Sequence, residues 1–248
     1  TGAGGGSLIG IRLYANTLQF GTTSDNSNIN NYVVGNCYLK NVNMQFNGCI
    51  NNILFGNIIT YLFNNGSNKF FNNIITAQLN AMGSGSILKN NIFILPSSGY
   101  SISASKSSLY ENNIFIRSSG NYYFFNCTCN VVDFNIFNNN LISQNLVNFL
   151  PCCTNTGSNN IIDQPIDSIF INQSGSTFSY SDDYHLQPTS PGKNAGRDGT
   201  DIGIYGGAYP WKDGSIPFNP HFQKVVVSPT TNTSGNLNVN IQVEAQDR

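Results

Sequence analysis

Ionised side chains are scarce: Asp, Glu, Lys and Arg make up 9 % of the 248 residues, against roughly a quarter of a typical soluble domain. The net charge is −1 and no Lys/Arg cluster occurs, so nothing attracts a nucleic-acid backbone. Histidine is found only at His185 and His221, neither has a suggestive partner, and no Gly-x-Ser-x-Gly elbow exists, which argues against Ser or Cys nucleophilic catalysis. The Gly2–Gly6 run lacks the Gly-Lys-Ser/Thr ending of a phosphate loop. No apolar run reaches the roughly 18 residues of a membrane span. Between residues 31 and 180 there is no sustained 3.6-residue apolar period, and strong helix formers are few, which excludes helical-pair repeats. The spaced leucines of leucine-rich repeats are absent as well. There is no initiator Met and no signal-peptide pattern; the chain opens on Thr1-Gly2-Ala3, as expected of a processed chain or a fragment.

What is abundant is asparagine, 41 residues of 248. An Asn-Asn-apolar signature recurs at Asn51-Asn52-Ile53, Asn72-Asn73-Ile74, Asn90-Asn91-Ile92, Asn112-Asn113-Ile114, Asn139-Asn140-Leu141 and Asn159-Asn160-Ile161. Counted at the second Asn, the steps are 21, 18, 22, 27 and 20 residues. A period near 20 that drifts marks a stacked unit with a fixed core and variable turns. Each doublet opens a short β-branched or aromatic run, such as Ile92-Phe93-Ile94 or Ile114-Phe115-Ile116, and such runs bounded by Gly, Ser and Asn read as strands. The remaining architecture is a parallel β-solenoid, in which six signatures stack to roughly 25–30 Å. Stacked asparagines can form amide ladders and tolerate the left-handed conformation of a tight corner. A coding bias toward Asn would also raise Lys, yet there are only seven lysines.

Six cysteines are present: Cys37, Cys49, Cys127, Cys129, Cys152 and Cys153. The pair Cys127 and Cys129 lies about one coil before Cys152 and Cys153, and a coil spacing of roughly 4.8 Å falls within the reach of a disulfide. A Cys127–Cys152 or Cys129–Cys153 bridge would suit a secreted protein. Unbridged core thiols and a four-thiolate zinc site are the alternatives, although Cys-x-x-Cys knuckles are lacking.

After Asn160 the composition shifts toward Asp and Pro. The stretch contains Asp183-Tyr184-His185-Leu186, then Ser190-Pro191, Asn194-Ala195-Gly196 and Asp201-Ile202-Gly203-Ile204-Tyr205-Gly206-Gly207. This block resembles the C-terminal end of right-handed parallel β-helices of the pectin-lyase-like superfamily, particularly those of secreted bacterial surface proteins. The resemblance implies an extracellular right-handed β-helix whose last irregular coil, ending in Trp211, closes the open end and blunts its edge. Asp183, His185 and Asp201 then have a structural role in the cap. The competing reading is a calcium site from Asp182, Asp183, Asp198 and Asp201, with no recognisable ligand loop; no other cofactor is expected. The expected organisation is coils over 1–162, last coils and cap over 163–222, and a tail over 223–248. In the tail Leu237, Val239, Ile241 and Val243 alternate with polar residues, the pattern of a hairpin with one buried face. It would lie on the solenoid wall, dock a neighbour or begin an anchor region.

Chemistry is thinly supplied. The resemblance brings lyases with a Lys or Arg base and hydrolases with grouped carboxylates. Between residues 31 and 160 the only carboxylates are Glu111 and Asp133. Glu111 with Lys106 or Arg117 is the one conceivable lyase dyad, and solvated turn charges explain each equally well. In Tyr122-Tyr123-Phe124-Phe125, Tyr122 and Tyr123 are the candidate sugar-stacking residues if they project outward, while alternate members of a strand must face the core, so half of such a run is packing. Asn-x-Ser/Thr sequons and Asp167-Ser168-Ile169 are weak glycosylation matches. The expectation is a non-catalytic extracellular adhesive or structural module, with polysaccharide, another surface protein or further copies of itself as partners. A polysaccharide lyase or hydrolase with its active coils upstream, and a self-assembling fibre subunit, are the rivals.

Overall fold

The computed structural model describes residues 5–21, 29–45, 48–76, 79–95, 102, 104–117, 122–124, 132–144, 146–147, 153–174, 177–213 and 221–244, with the backbone alone at 80, 81, 122, 123, 146, 147 and 221. Residues 1–210 form one compact unit, and Trp211–Arg248 a second. The first is a parallel β-solenoid. One sheet stacks eight short strands in chain order: Ser7–Ile9, Val33–Gly35, Ile53–Phe55, Lys69–Phe71, Ile87–Lys89, Leu109–Glu111, Ile136–Asn138 and Thr156–Ser158. All these pairs are parallel and in register, as in Phe70↔Leu88 and Leu88↔Tyr110. Eight strands at roughly 4.8 Å give a stack of about 34 Å.

The second sheet begins with the long strands Arg12–Gln19, Tyr38–Met44 and Ile58–Asn64 and then divides. Ile74–Ile75, Ile92–Ile94, Ile114–Ile116, Leu141–Ser143 and Ile161–Gln164 continue one branch, while Leu79–Met82, Ser105–Lys106 and Val132–Asp133 continue the other. In the first-sheet strands up to Ile136–Asn138 the central residue points inward, and Leu54, Phe70, Leu88, Tyr110 and Phe137 are all fully buried. They meet the inward residues Ile59, Ile75, Phe93, Phe115 and Ile142. Like stacks on like: Phe93 lies on Phe115 at 4.6 Å and Tyr110 on Phe137 at 4.5 Å, the rings of each pair nearly parallel. Offset aromatic stacking adds about 0.5–1.5 kcal/mol per pair beyond burial.

At the corner between the sheets, Asn57, Asn73, Asn91, Asn113, Asn140 and Asn160 form one continuous ladder. Each backbone N–H and each Nδ2 donates to the Oδ1 of the next asparagine at 2.9–3.0 Å, with the Asn140–Asn160 rung closing the series. The second Nδ2 hydrogen goes to a carbonyl one coil back, Leu54 for Asn73 and Phe70 for Asn91. Both amide hydrogens and both acceptor lone pairs are therefore used, the condition under which a buried polar network is stable. The coil lengths read from these rungs are 16, 18, 22, 27 and 20 residues.

The spacing of doublets in the sequence pairs Asn52 with Asn73, and here the structure differs. Asn52 stands at the corner that precedes the first sheet and stacks on Asn68. The partner of Asn73 is Asn57, from Gly56-Asn57-Ile58. One coil earlier Cys37 fills the same position, its N–H donating to Asn57 Oδ1 at 3.0 Å. The second corner is also a ladder at its ends, Asn52–Asn68 and Asn135–Asn155, with Ser86 and Ser108 buried between them.

The doublet divides two tasks. Its first member sits at positive φ, as at Asn51, Asn72, Asn90, Asn112, Asn139 and Asn159 (51–59°), the left-handed turn that Asn tolerates better than other side-chain-bearing residues. This turn points the first amide away from the core and the second into it.

The segment expected to close the end of the solenoid instead runs back along its side. Residues 192–209 descend over the first-member asparagines. Asn139 Nδ2 donates to Ala195 O, Arg197 N to Asn112 Oδ1, Asn90 Nδ2 to Gly203 O, and Asn72 Nδ2 to Ile204 O and Gly206 O. A second returning segment, the antiparallel hairpin of Phe170–Asn172 and Asp183–Leu186, reaches the first coil, where Arg12 Nη2 donates to Tyr180 Oη at 2.6 Å. The physical reason is supply of partners: the outward corner amides offer a column of hydrogen bonds that a Gly-rich segment can follow. Gly206 and Gly207 allow the closest approach. A Cβ on Gly206 would strike Asp201 O, and one on Gly207 (φ 75°) would sit 2.6 Å from Asn90 Oδ1.

The second unit contains an antiparallel hairpin, His221–Thr231 with Leu237–Glu244. Its turn is Asn232–Asn236, closed by Asn232 Oδ1 accepting from Ser234 N and Asn236 N. The apolar row expected to be buried is open: Val225, Val227, Val239, Ile241 and Val243 are 46–54 % exposed.

Candidate functional site

Where the returning strap leaves the corner, it and the outer face of the first sheet enclose a cleft of about 700 Å³, within the usual range of small-molecule sites. The floor follows from strand alternation. With Phe70 buried inside, its neighbours Lys69 and Phe71 point outward, and the same parity turns Ile87, Lys89 and Glu111 to that face. The wall is the strap, with Arg197, Asp198 and Tyr209. Tyr209 stacks on Phe71 at 5.5 Å and lies 5.4 Å from Phe55, giving an aromatic platform that leaves Tyr209 44 % exposed.

Glu111 is the electrostatic centre of the cleft. Its side chain is only 5 % exposed, with Lys89 Nζ at 2.7 Å and Arg197 Nη1 at 2.8 Å. Burial pushes its carboxyl up, but the hydrogen bonds and charges of Lys89 and Arg197 overcome that and hold it below the usual carboxylate range. Lys69 has no carboxylate partner among the described residues. Asp198 accepts from Thr200 N and Oγ1. Three cations against two carboxylates leave the lining with one surplus positive charge.

The lyase dyad considered from the sequence is not assembled. Glu111 pairs with Lys89 and Arg197; Lys106 lies in the other sheet, in register with Asp133. Arg117 is fully buried, its backbone N–H donating to Ser143 Oγ. Asp133 is itself bonded by Thr154 and Phe134 N, which hold its carboxyl below the ordinary value. The two wall carboxylates thus sit on different sheets, each with its own partners.

The remaining candidates are distributed as follows. Asp183 Oδ1 accepts from His185 N and lies 2.7 Å from His185 Nδ1, and the His185 ring stacks on Tyr205 at 3.7 Å, joining the hairpin to the strap. Asp201 closes the 193–201 loop through Lys193 Nζ and Asn194 N. Asp182 accepts from Tyr184 Oη and Ser174 Oγ. Asp182, Asp183, Asp198 and Asp201 therefore serve separate turns, and among the described residues no three His, Cys, Asp or Glu side chains are grouped to hold a metal. Cys153 is disulfide-bonded, while Cys37 and Cys49 are buried and free; Cys127, Cys129 and Cys152 lie outside the described residues. Tyr122 and Tyr123 form a two-residue strand beside Leu146–Val147, and their side chains lie outside the description. Among the described residues no helix is long and apolar enough to cross a membrane.

Sequence reasoning missed Lys69, Phe71, Arg197 and Tyr209 as one constellation. Alternation around Phe70 would have put the first two on a common face had Lys69–Phe71 been read as a strand; nothing local brings residues 197 and 209 onto coils more than 80 positions earlier. The chain matches no family model and no curated protein.

Proposed function

We propose that this chain is an extracellular right-handed β-helix of the pectin-lyase-like type, acting as a rigid, non-catalytic adhesive or structural module. The observation that carries the reading is the state of Glu111. A general base must reach a substrate proton and hold a pKa near the working pH. Glu111 is buried beneath Arg197, paired twice, and its carboxyl is held low, while Asp133 stands on the other sheet. Rigidity is supported by the satisfied asparagine ladder and by two returning segments that tie late coils to early ones. The disulfide at Cys153 suits an oxidising extracellular setting.

The test is turnover. Incubation with a panel of acidic polysaccharides should yield neither unsaturated products nor new reducing ends. Product formation that disappears in Glu111→Gln or Lys106→Gln would replace this reading with a polysaccharide lyase.

A further inference from the structure

We infer that the apolar face of the His221–Thr231 and Leu237–Glu244 hairpin is a homodimer interface, on which the same face of a second copy of this chain docks to form a four-stranded core. The inference concerns the second unit alone and does not depend on whether the solenoid is catalytic. The register divides the hairpin into two faces. Directly opposed residues of an antiparallel pair project to the same side, and Phe222↔Val243, Val225↔Ile241 and Val227↔Val239 are all apolar. Leu237, opposite Thr231, continues this row toward the turn. The other side carries Lys224 with Gln242 and Val226 with Asn240. The seven apolar side chains of the first face are 46–68 % exposed, so among the described residues nothing covers them.

Three arguments select a second copy as the occupant. A two-stranded hairpin is marginal in water and needs another layer on its apolar side; a second copy brings one of matching length. Area is sufficient: half-exposed, the seven side chains amount to roughly 550 Å² per copy, so two faces together remove about 1,100 Å² from water, above the ~1,000 Å² of a specific interface. Charge is also compatible. The first face holds no ionised side chain, and Lys224 lies on the other side. Two like faces therefore meet about a two-fold axis without burying or opposing a charge, packed as aligned sheets about 10 Å apart.

The experiment is sedimentation equilibrium of the whole chain from about 2 to about 200 μM, with thermal melts of the same samples and flotation with phosphatidylcholine vesicles. A monomer–dimer equilibrium in the micromolar range is expected of an interface this small. Ile241→Asp puts a charge at the centre of the face and should abolish the dimer, whereas Asn240→Asp, one residue along on the other side, should leave it intact. Val239→Thr keeps the β-branched shape that strands favour and should weaken the dimer about tenfold, so it remains informative if Ile241→Asp melts the hairpin. A monomer throughout the range, a dimer unmoved by Ile241→Asp and Val239→Thr, or equal loss in Asn240→Asp would overturn the interface. Assemblies that grow past the dimer would overturn face-to-face docking in favour of addition at the strand edges. A monomer whose melting temperature drops in Val239→Thr would overturn it in favour of a contact within one chain. A monomer that floats with vesicles and loses them in Ile241→Asp would overturn it in favour of a lipid surface.

Discussion

At the scale of single residues, a buried ladder asparagine and an exposed asparagine have different energetic weights. Removing Asn113 leaves Asn91 N and Nδ2 without their acceptor and Leu88 O without its donor, and each buried group left unmade costs about 1–3 kcal/mol. Asn113→Ala should therefore lower unfolding free energy by roughly 3 kcal/mol in urea titration, whereas Asn16→Ala, at an exposed position, should stay within about 0.5 kcal/mol. Glu111 gives a pH prediction. Its folded pKa lies below the unfolded value, so its contribution is complete above about pH 4.3 and is lost as pH falls through the folded pKa. Glu111→Gln should flatten that acid limb and, at pH 7, cost about 1–2 kcal/mol, a figure reduced from the buried-pair range because Lys89 and Arg197 remain 35 % and 64 % exposed.

At the scale of elements, the strap is held by side chains rather than by a β-ladder, and it should open independently of the coils. Gly207→Val would place a branched side chain against Asn90 at a positive-φ position. In hydrogen exchange that variant should lose protection at Arg197 and Gly203, whose amides donate to Asn112, while the ladder amides of Asn73 and Asn91 keep theirs. The solenoid and its ladders were legible in the sequence because they depend on a local, repeating pattern: a doublet, then two or three apolar residues. The register of the early coils was not. Gly56-Asn57 lacks the first Asn of the doublet, while Asn51-Asn52 shows a full doublet at the other corner, so the count attached the motif to the wrong turn. The cleft was not legible because Arg197 and Tyr209 reach it through contacts whose sequence separation bears no relation to the period. The signal available was parity, which puts Lys69, Lys89 and Glu111 on one face, but the runs read as strands were those that follow the doublets, and Lys69–Phe71, Ile87–Lys89 and Leu109–Glu111 precede them.

At the scale of the whole molecule, the solenoid behaves as a stack whose neighbours are coupled rung by rung, with the strap and hairpin adding ties that span several coils. Stability in such stacks is close to a sum of nearest-neighbour terms, and long-range ties make the sum cooperative. A chain ended after Leu186 should therefore unfold over a broader denaturant range than the full chain, with a lower m value, because the coils lose the strap that links Asn139 to Asn72. The central claim is the register itself, and diffraction from crystals of this chain at a resolution that places side-chain amides tests it most directly. The account predicts Asn57 under Asn73, Asn52 under Asn68, and a continuous amide column from Asn57 to Asn160. Density that places Asn52 beneath Asn73, as the spacing of doublets alone would have it, would contradict it.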